Sequence, residues 1–218
     1  MHTWIKICGT TSLEDALASV AAGADALGFI FAPSKRRVTL AQAREIVRQL
    51  PEKVERVGIF VDESADVINA TVDQVGLTAV QLHGNESPEF VGDLLKGREH
   101  GRTNRVIKTV LVDDNFEARL KQFCGEDGGP ILLDSGSGSG KTFDWESVRQ
   151  RLPERTARFI IAGGLNAGNV QQAVRTFTPW GVDVVSGVER EPGRKDPEKL
   201  KAFVDAVRKT EATMAEEQ

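Results

Sequence analysis

The residues best equipped for chemistry in this chain stand where apolar runs give way to glycine or polar turns. In Trp4-Ile5-Lys6-Ile7-Cys8-Gly9 the polar residues alternate with isoleucines. If the run is a strand, the thiol of Cys8 and the ammonium of Lys6 share one face and Ile5 and Ile7 the other. A thiol, with an ordinary pKa of about 8.5, is a weak base, but its thiolate is competent and a neighbouring cation favours it. Asp134 ends the apolar run Ile131-Leu132-Leu133. Partial desolvation there would raise its pKa and keep it protonated, as a general acid requires. The plainer readings are that Cys8 is a small buried hydrophobe and Asp134 a loop or helix cap.

A second group of positions suits a phosphate. Gly163 and Gly164 follow the apolar run 158–162, and Ser186 and Gly187 follow 182–185. Small residues at such turns let backbone N–H groups approach an anion closely, although glycines needed only for chain reversal would look the same. The segment Gly136-Ser137-Gly138-Ser139-Gly140-Lys141-Thr142 has the look of a nucleotide P-loop, but Ser135 stands where the first glycine of G-x-x-x-x-G-K-[ST] belongs. Arg36, within Lys35-Arg36-Arg37, offers a planar fork for a carboxylate and equally fits a solvated loop. Gln81 and His83 read as pocket-lining groups. Asp183 either orients a polar substrate group or pairs with Lys6 or Lys108.

Placing these residues together falls to a repeating strand–helix pattern. Strands are expected at 4–9, 26–31, 56–61, 79–83, 105–110, 130–134, 158–162 and 182–185. Helices are expected at 12–22, 40–50, 64–75, from 87, at 115–123, from 144, at 167–177 and at 197–209. Loops fill 98–104 and 135–140, the second flexible enough to close over a ligand. Eight units fit either an open doubly wound sheet or a closed barrel. Their number and regularity favour a single α/β domain, a (β/α)8 TIM barrel with a parallel eight-stranded core over 1–210, followed by a polar, frayed tail at 211–218. In such a barrel the site lies at the C-terminal ends of the strands. Alternation then places Lys6, Cys8, Gln81, His83, Lys108, Asp134 and Asp183 on a polar inner ring.

Composition narrows the partners. The chain has 218 residues, 40% of them hydrophobic and 28% charged, with a net charge of -4. That balance gives no basic footprint for nucleic acid. No apolar run approaches the ~18 residues that cross a bilayer, and the N-terminus lacks a signal-peptide layout, so no membrane partner and a cytoplasmic location are expected. The two cysteines, Cys8 and Cys124, show neither a CxxC nor a zinc-site spacing. Two free thiols and no metal are expected, with a monomer and a homodimer both open.

The motifs also carry a resemblance. Lys6-Ile7-Cys8-Gly9, Gly28-Phe29-Ile30-Phe31 with Ser34-Lys35-Arg36, Val80-Gln81-Leu82-His83-Gly84, Leu132-Leu133-Asp134, Gly140-Lys141-Thr142-Phe143-Asp144-Trp145, Ala162-Gly163-Gly164-Leu165 and Val182-Asp183-Val184-Val185-Ser186-Gly187-Val188-Glu189 occur in this order over nearly the whole chain. Together they resemble the phosphoribosylanthranilate isomerases of tryptophan biosynthesis.

The resemblance implies a barrel enzyme that converts N-(5-phosphoribosyl)anthranilate, a phosphorylated sugar-anthranilate, into its 1-deoxyribulose isomer by an Amadori rearrangement, without cofactor. It implies Asp134 as general acid, Cys8 as base, Arg36 on the anthranilate carboxylate, Gly163, Gly164, Ser186 and Gly187 on the phosphate, and Asp183 on the sugar hydroxyls. Three alternatives compete: an aminoaldose isomerase of histidine biosynthesis, a barrel that closes the indole ring, and a non-catalytic sugar-phosphate binder. The first would be expected to carry paired aspartates at the ends of strands one and five, where this chain has Cys8 and Thr109-Val110. The last would have no use for Cys8 and Asp134 together.

Overall fold

The computed structural model describes residues 2–96, 105–124, 129–136, 142–153 and 158–217. The loop expected at 98–104, and the part of the flexible loop running from 137 to 140, lie outside them. Strands β1 (Trp4–Cys8), β2 (Ala26–Ile30), β3 (Glu55–Phe60), β4 (Ala79–Leu82), β5 (Arg105–Leu111), β6 (Ile131–Asp134), β7 (Phe159–Ile161) and β8 (Gly181–Val184) close into a parallel barrel in sequence order, β8 pairing back onto β1. Each is followed by a helix: α1 (Leu13–Ala22), α2 (Leu40–Val47), α3 (Ala65–Val75), α4 (Pro88–Lys96), α5 (Phe116–Phe123), α6 (Trp145–Arg151), α7 (Val170–Phe177) and α8 (Pro197–Glu216). Between β8 and α8 the chain makes a short 3-10 turn, Ser186–Val188, and a small antiparallel hairpin of β9 (Glu189–Glu191) and β10 (Arg194–Lys195).

Local chemistry sets the helix ends. Ser12 Oγ accepts the N–H of Asp15, and Gly23 closes α1 in the left-handed region at φ 103°. Thr39 and Gln42 form a reciprocal capping box on α2. That helix stops at Val47, short of the expected Leu50, because the residues before Pro51 tighten into i→i+3 bonds, Gln49 N to Ile46 O and Leu50 N to Val47 O. Helix α7 begins at Val170 and not near Ala167: Asn166 Oδ1 accepts the Gly168 N–H and Asn169 Oδ1 the Asn166 N–H, bonds that compete with helical ones.

The largest difference is at the C-terminus, where α8 continues past Thr210 to Glu216. Thr210 is buried, Met214 packs on the core, Glu211 accepts the Thr3 N–H, and Arg208 donates to Thr3 O and Asp25. A polar composition hid a helix held by its apolar and ion-paired face.

Two apolar layers position the site. Ile5, Ile7, Leu27, Phe29, Val80, Leu82, Val106, Val110 and Leu133 point outward into the layer shared with the helices. Inside the barrel, Trp4, Ala26, Val57, Ala79, Ile107, Leu132 and Ile160 form a separate cluster, and Trp180 stacks on Trp4 with ring centroids 5.0 Å apart. These inner residues fill the lower barrel, so the polar residues one pleat higher stand on an apolar floor.

Candidate active site

Directly above that floor, Lys6 on β1 faces Asp183 on β8 in register, and Lys6 Nζ donates to Asp183 Oδ1 at 2.7 Å. Lys6 is fully buried. Burial alone would push its pKa down, but Asp183, with a smaller contribution from Cys8, outweighs it and holds Lys6 above its ordinary value. The site therefore keeps a permanent ammonium at its base.

Cys8 lies one pleat above Lys6, buried, opposite Gly28 of β2 in the ladder. A Cβ on Gly28 would stand 2.7 Å from Cys8 Sγ, so the glycine in the middle of β2 is the space the sulfur occupies. Burial pushes the thiol above its ordinary pKa; Lys6 opposes this, Asp183 adds to it, and Lys195 opposes it more weakly. Lys6 favours the thiolate, as expected of a neighbouring cation, but desolvation outweighs it.

Asp134 ends β6, its Oδ1 accepting the Gly136 N–H at 3.0 Å. Burial raises its pKa, with His83 and the Gly136 bond opposing. On β4, Gln81 Nε2 donates to Thr109 Oγ1 at 3.2 Å and meets His83 Nδ1 at 3.3 Å. The His83 pKa is lowered by burial, with Asp134 opposing. Among the described residues Gln81 Oε1 is buried with no partner, which leaves an acceptor open there.

Arg36, in the loop after β2, does not sit as a solvated residue. Its Nε donates to Glu189 Oε1 at 2.8 Å and its Nη2 to Glu189 Oε2 at 2.6 Å. Its stem crosses Gly9, where a Cβ would stand 2.6 Å from Arg36 Cδ and where φ is +76°. Hydrogen bonding to Glu189 raises the guanidinium pKa further.

The glycine turns after β7 and β8 meet. A Cβ on Gly163 would stand 2.2 Å from Ser135 Oγ, and one on Gly187 1.9 Å from Leu165 O. Gly163 and Gly164 both hold positive φ, and among the described residues their N–H groups have no backbone acceptor. Ser186 and Gly187 open the 3-10 turn, and among the described residues no backbone acceptor is found for their N–H groups. Four amides at one end of the barrel are thus available to an anion.

Lys108 is a correction to the inner ring. On β5 the apolar residue facing inward is Ile107, so Lys108 points toward the helices, where its Nζ donates to Gly84 O at 2.6 Å and to Glu86 Oε2 at 2.7 Å. Both parities of that strand are apolar, so alternation could not orient it; Thr109 takes the inward place. Two more residues escaped the sequence. Glu189 was visible only as the end of a motif, and Lys195, in a polar loop, carried no local signal. A crevice of about 780 Å3 lined by Phe31, Leu40, Phe60, Val61 and Val67 opens on the helix side of β2 and β3. None of the candidate residues lines it, so the chemistry is assigned to the barrel mouth. Among the described residues no cluster of His, Cys, Asp and Glu is arranged to hold a metal, and no helix is long and apolar enough to cross a membrane.

The fold and this rim define a (β/α)8-barrel enzyme. A sequence model of N-(5'-phosphoribosyl)anthranilate (PRA) isomerases matches residues 5–206. The N-(5'-phosphoribosyl)anthranilate isomerase of Pelobacter propionicus is 44% identical over 212 residues, covering 94% of this chain and 96% of that protein, and that of Bacillus cereus is 44% identical over 205 residues, covering 92% and 96%. The crystal structure of the Thermotoga maritima phosphoribosylanthranilate isomerase superposes with a TM-score of 0.83 at 41% identity, covering 95% of this chain and all of that one. A further isomerase structure, in complex with reduced 1-(o-carboxyphenylamino)-1-deoxyribulose 5-phosphate, is similar with a TM-score of 0.81 at 40% identity over 95% of this chain and all of that one. The chain belongs to the phosphoribosylanthranilate isomerase family.

Proposed function

We propose that the barrel mouth converts N-(5-phosphoribosyl)anthranilate into 1-(2-carboxyphenylamino)-1-deoxyribulose 5-phosphate in tryptophan biosynthesis, in the cytoplasm, with residues acting as follows. Asp134 protonates the furanose ring oxygen; the C1–O bond breaks, and the nitrogen lone pair forms an iminium at C1. The iminium acidifies the adjacent C–H, so a modest base suffices. Cys8, as thiolate, takes the C2 proton, and the C–H electron pair moves into the C1–C2 bond as the iminium becomes an amine. The resulting enolamine tautomerises, losing its hydroxyl proton and gaining one at C1, to give the ketone.

The remaining residues bind. The amides of Gly163, Gly164, Ser186 and Gly187 receive the phosphate, Asp183 the sugar hydroxyls, Gln81 and His83 line the pocket, and Arg36 receives the anthranilate carboxylate. The observation that most supports this division is that Cys8 and Asp134 sit on the inward parity at the same end of the barrel, each with burial raising its pKa. That lets Asp134 hold a proton and makes the Cys8 thiolate a stronger base than an exposed one.

The test is a fluorescence assay with freshly generated phosphoribosylanthranilate on the unaltered chain, Cys8→Ser and Asp134→Asn. Loss of substrate fluorescence with the unaltered chain is expected, with a decrease of about 10²- to 10⁴-fold in each variant. Retained turnover in either folded variant removes that residue's assigned role.

A further inference from the structure

The carboxylate-binding reading of Arg36 leaves open what aims it. Glu189 and Lys195, assigned no part in the reaction, are both nearly sealed from solvent, with side-chain exposures of 3% and 0%. Lys195 Nζ lies 2.6 Å from Cys8 O, 3.4 Å from Val185 O and 3.2 Å from Glu189 Oε1. Those three acceptors match the three donors of an ammonium. Glu189 Oε1 also accepts the Gly193 N–H at 3.1 Å, and both carboxylate oxygens take the Arg36 fork. The hydrogen bonds therefore run unbroken from the carbonyl of Cys8, through Lys195 and Glu189, to the guanidinium of Arg36.

We propose that Glu189 and Lys195 are positioning residues whose buried ion pair fixes Arg36 relative to Cys8, and so sets the distance between the bound carboxylate and the base. The proposal rests on Arg36 receiving that carboxylate.

The geometry favours this over a purely structural ion pair. Glu189 occupies the Nε–Nη2 edge of Arg36, and Nη1 has no partner among the described residues. A guanidinium held on one edge presents its other edge in a fixed direction, which suits bidentate capture of a planar carboxylate. Gly9 adds a second grip, since the absence of a Cβ lets the Arg36 stem lie against the backbone next to Cys8. The hairpin of β9 and β10 carries the carboxylate and the lysine, and Lys199 Nζ ties it down by donating to Glu189 O at 2.8 Å. Arginine without this strap would sample many rotamers, and misplacement by about 1 Å can cost on the order of 10²-fold in rate.

The experiment compares phosphoribosylanthranilate with phosphoribosylaniline, the same sugar phosphate without the carboxylate, followed by phosphorus NMR. The readout is the ratio of their kcat/KM values in the unaltered chain, Glu189→Gln, Lys195→Met and Arg36→Met. Inhibition by inorganic phosphate verifies that each mouth is intact. Positioning predicts that the ratio falls about 10-fold or more in Glu189→Gln and in Lys195→Met, since only the carboxylate-bearing substrate uses the aim of Arg36. Lys195→Met keeps the test alive if Glu189→Gln does not fold. A ratio unchanged in both strap variants while Arg36→Met collapses it overturns the positioning role and leaves the carboxylate assignment standing. A ratio unchanged in Arg36→Met overturns both.

Discussion

Lys6 and Asp183 face one another across the β1–β8 ladder with 2.7 Å between Nζ and Oδ1, at side-chain exposures of 0% and 7%. Each is the neutralising partner of the other in a place that is largely buried. Removing one leaves the other charged and unpaired, which costs far more than removing both. Asp183→Ala is expected to lower unfolding stability by about 3–5 kcal/mol, and adding Lys6→Met to recover part of that loss. Urea titrations with a constant m value measure both. Strictly additive losses in the two single variants and the double would mean that the pair is solvated and the barrel floor is open.

The missing side chain at Gly28, whose place the Cys8 sulfur takes, is a second point of control. An alanine there brings a methyl to 2.7 Å from Cys8 Sγ and 3.1 Å from Ile59 Cδ1. The sulfur must shift, while the backbone at Gly28 lies in a strand that any residue adopts. Gly28→Ala should therefore cost about 1–3 kcal/mol of stability from overpacking. It should reduce kcat by about 10²-fold, through misplacement of the base. Steady-state kinetics beside thermal unfolding separate the two; full activity would show that the thiol position is not critical.

Much of this arrangement could be read in the sequence because period-two alternation and helix punctuation are local signals. Ile5 and Ile7 against Lys6 and Cys8 set the orientation of β1, and Ser12 and Gly23 bound α1. The failures occurred where the deciding contact was distant in sequence. Lys108 was misoriented because its neighbours on both parities are apolar and only the packing of Val106 and Val110 against helices fixes the strand's rotation. The last helix outran its expected end because Glu211 and Arg208 find partners more than 180 residues away, at Thr3 and Asp25. Glu189 and Lys195 matter through contacts with Arg36 and Cys8 that lie 153 and 187 residues away in sequence. The thiol's raised pKa was hidden for a related reason: alternation reveals the cation beside Cys8, but not the burial that outweighs it.

The pH dependence of turnover follows from the Asp134 and Cys8 pair. The working form carries one proton, on Asp134, with Cys8 as thiolate. Acid adds a second proton and removes the base; alkali removes the last and takes away the acid. Burial raises both groups, so kcat/KM should trace a bell with both limbs displaced upward from the ordinary carboxylate and thiol values of about 3.9 and 8.5. The profile is measured with substrate generated in place at each pH. An acid limb at the ordinary carboxylate value would exclude a desolvated Asp134 as its origin.

Asp134 should also carry a cost in stability that depends on pH. Its folded pKa is raised above the unfolded value, chiefly by burial, so the folded state binds the proton more tightly. Its contribution is then fully present below the unfolded pKa and is lost as pH rises through the raised folded value. Asparagine keeps an oxygen to accept the Gly136 N–H and does not titrate. Asp134→Asn is therefore expected to melt higher than the unaltered chain near pH 8, by a few degrees if the gain is about 1 kcal/mol. The difference should shrink as pH falls toward about 4. Calorimetry across that range gives the comparison directly. If Asp134→Asn is less stable at high pH, the carboxylate is stabilised by its neighbours in the folded state and was never kept protonated by burial, which would also withdraw its fitness as the general acid.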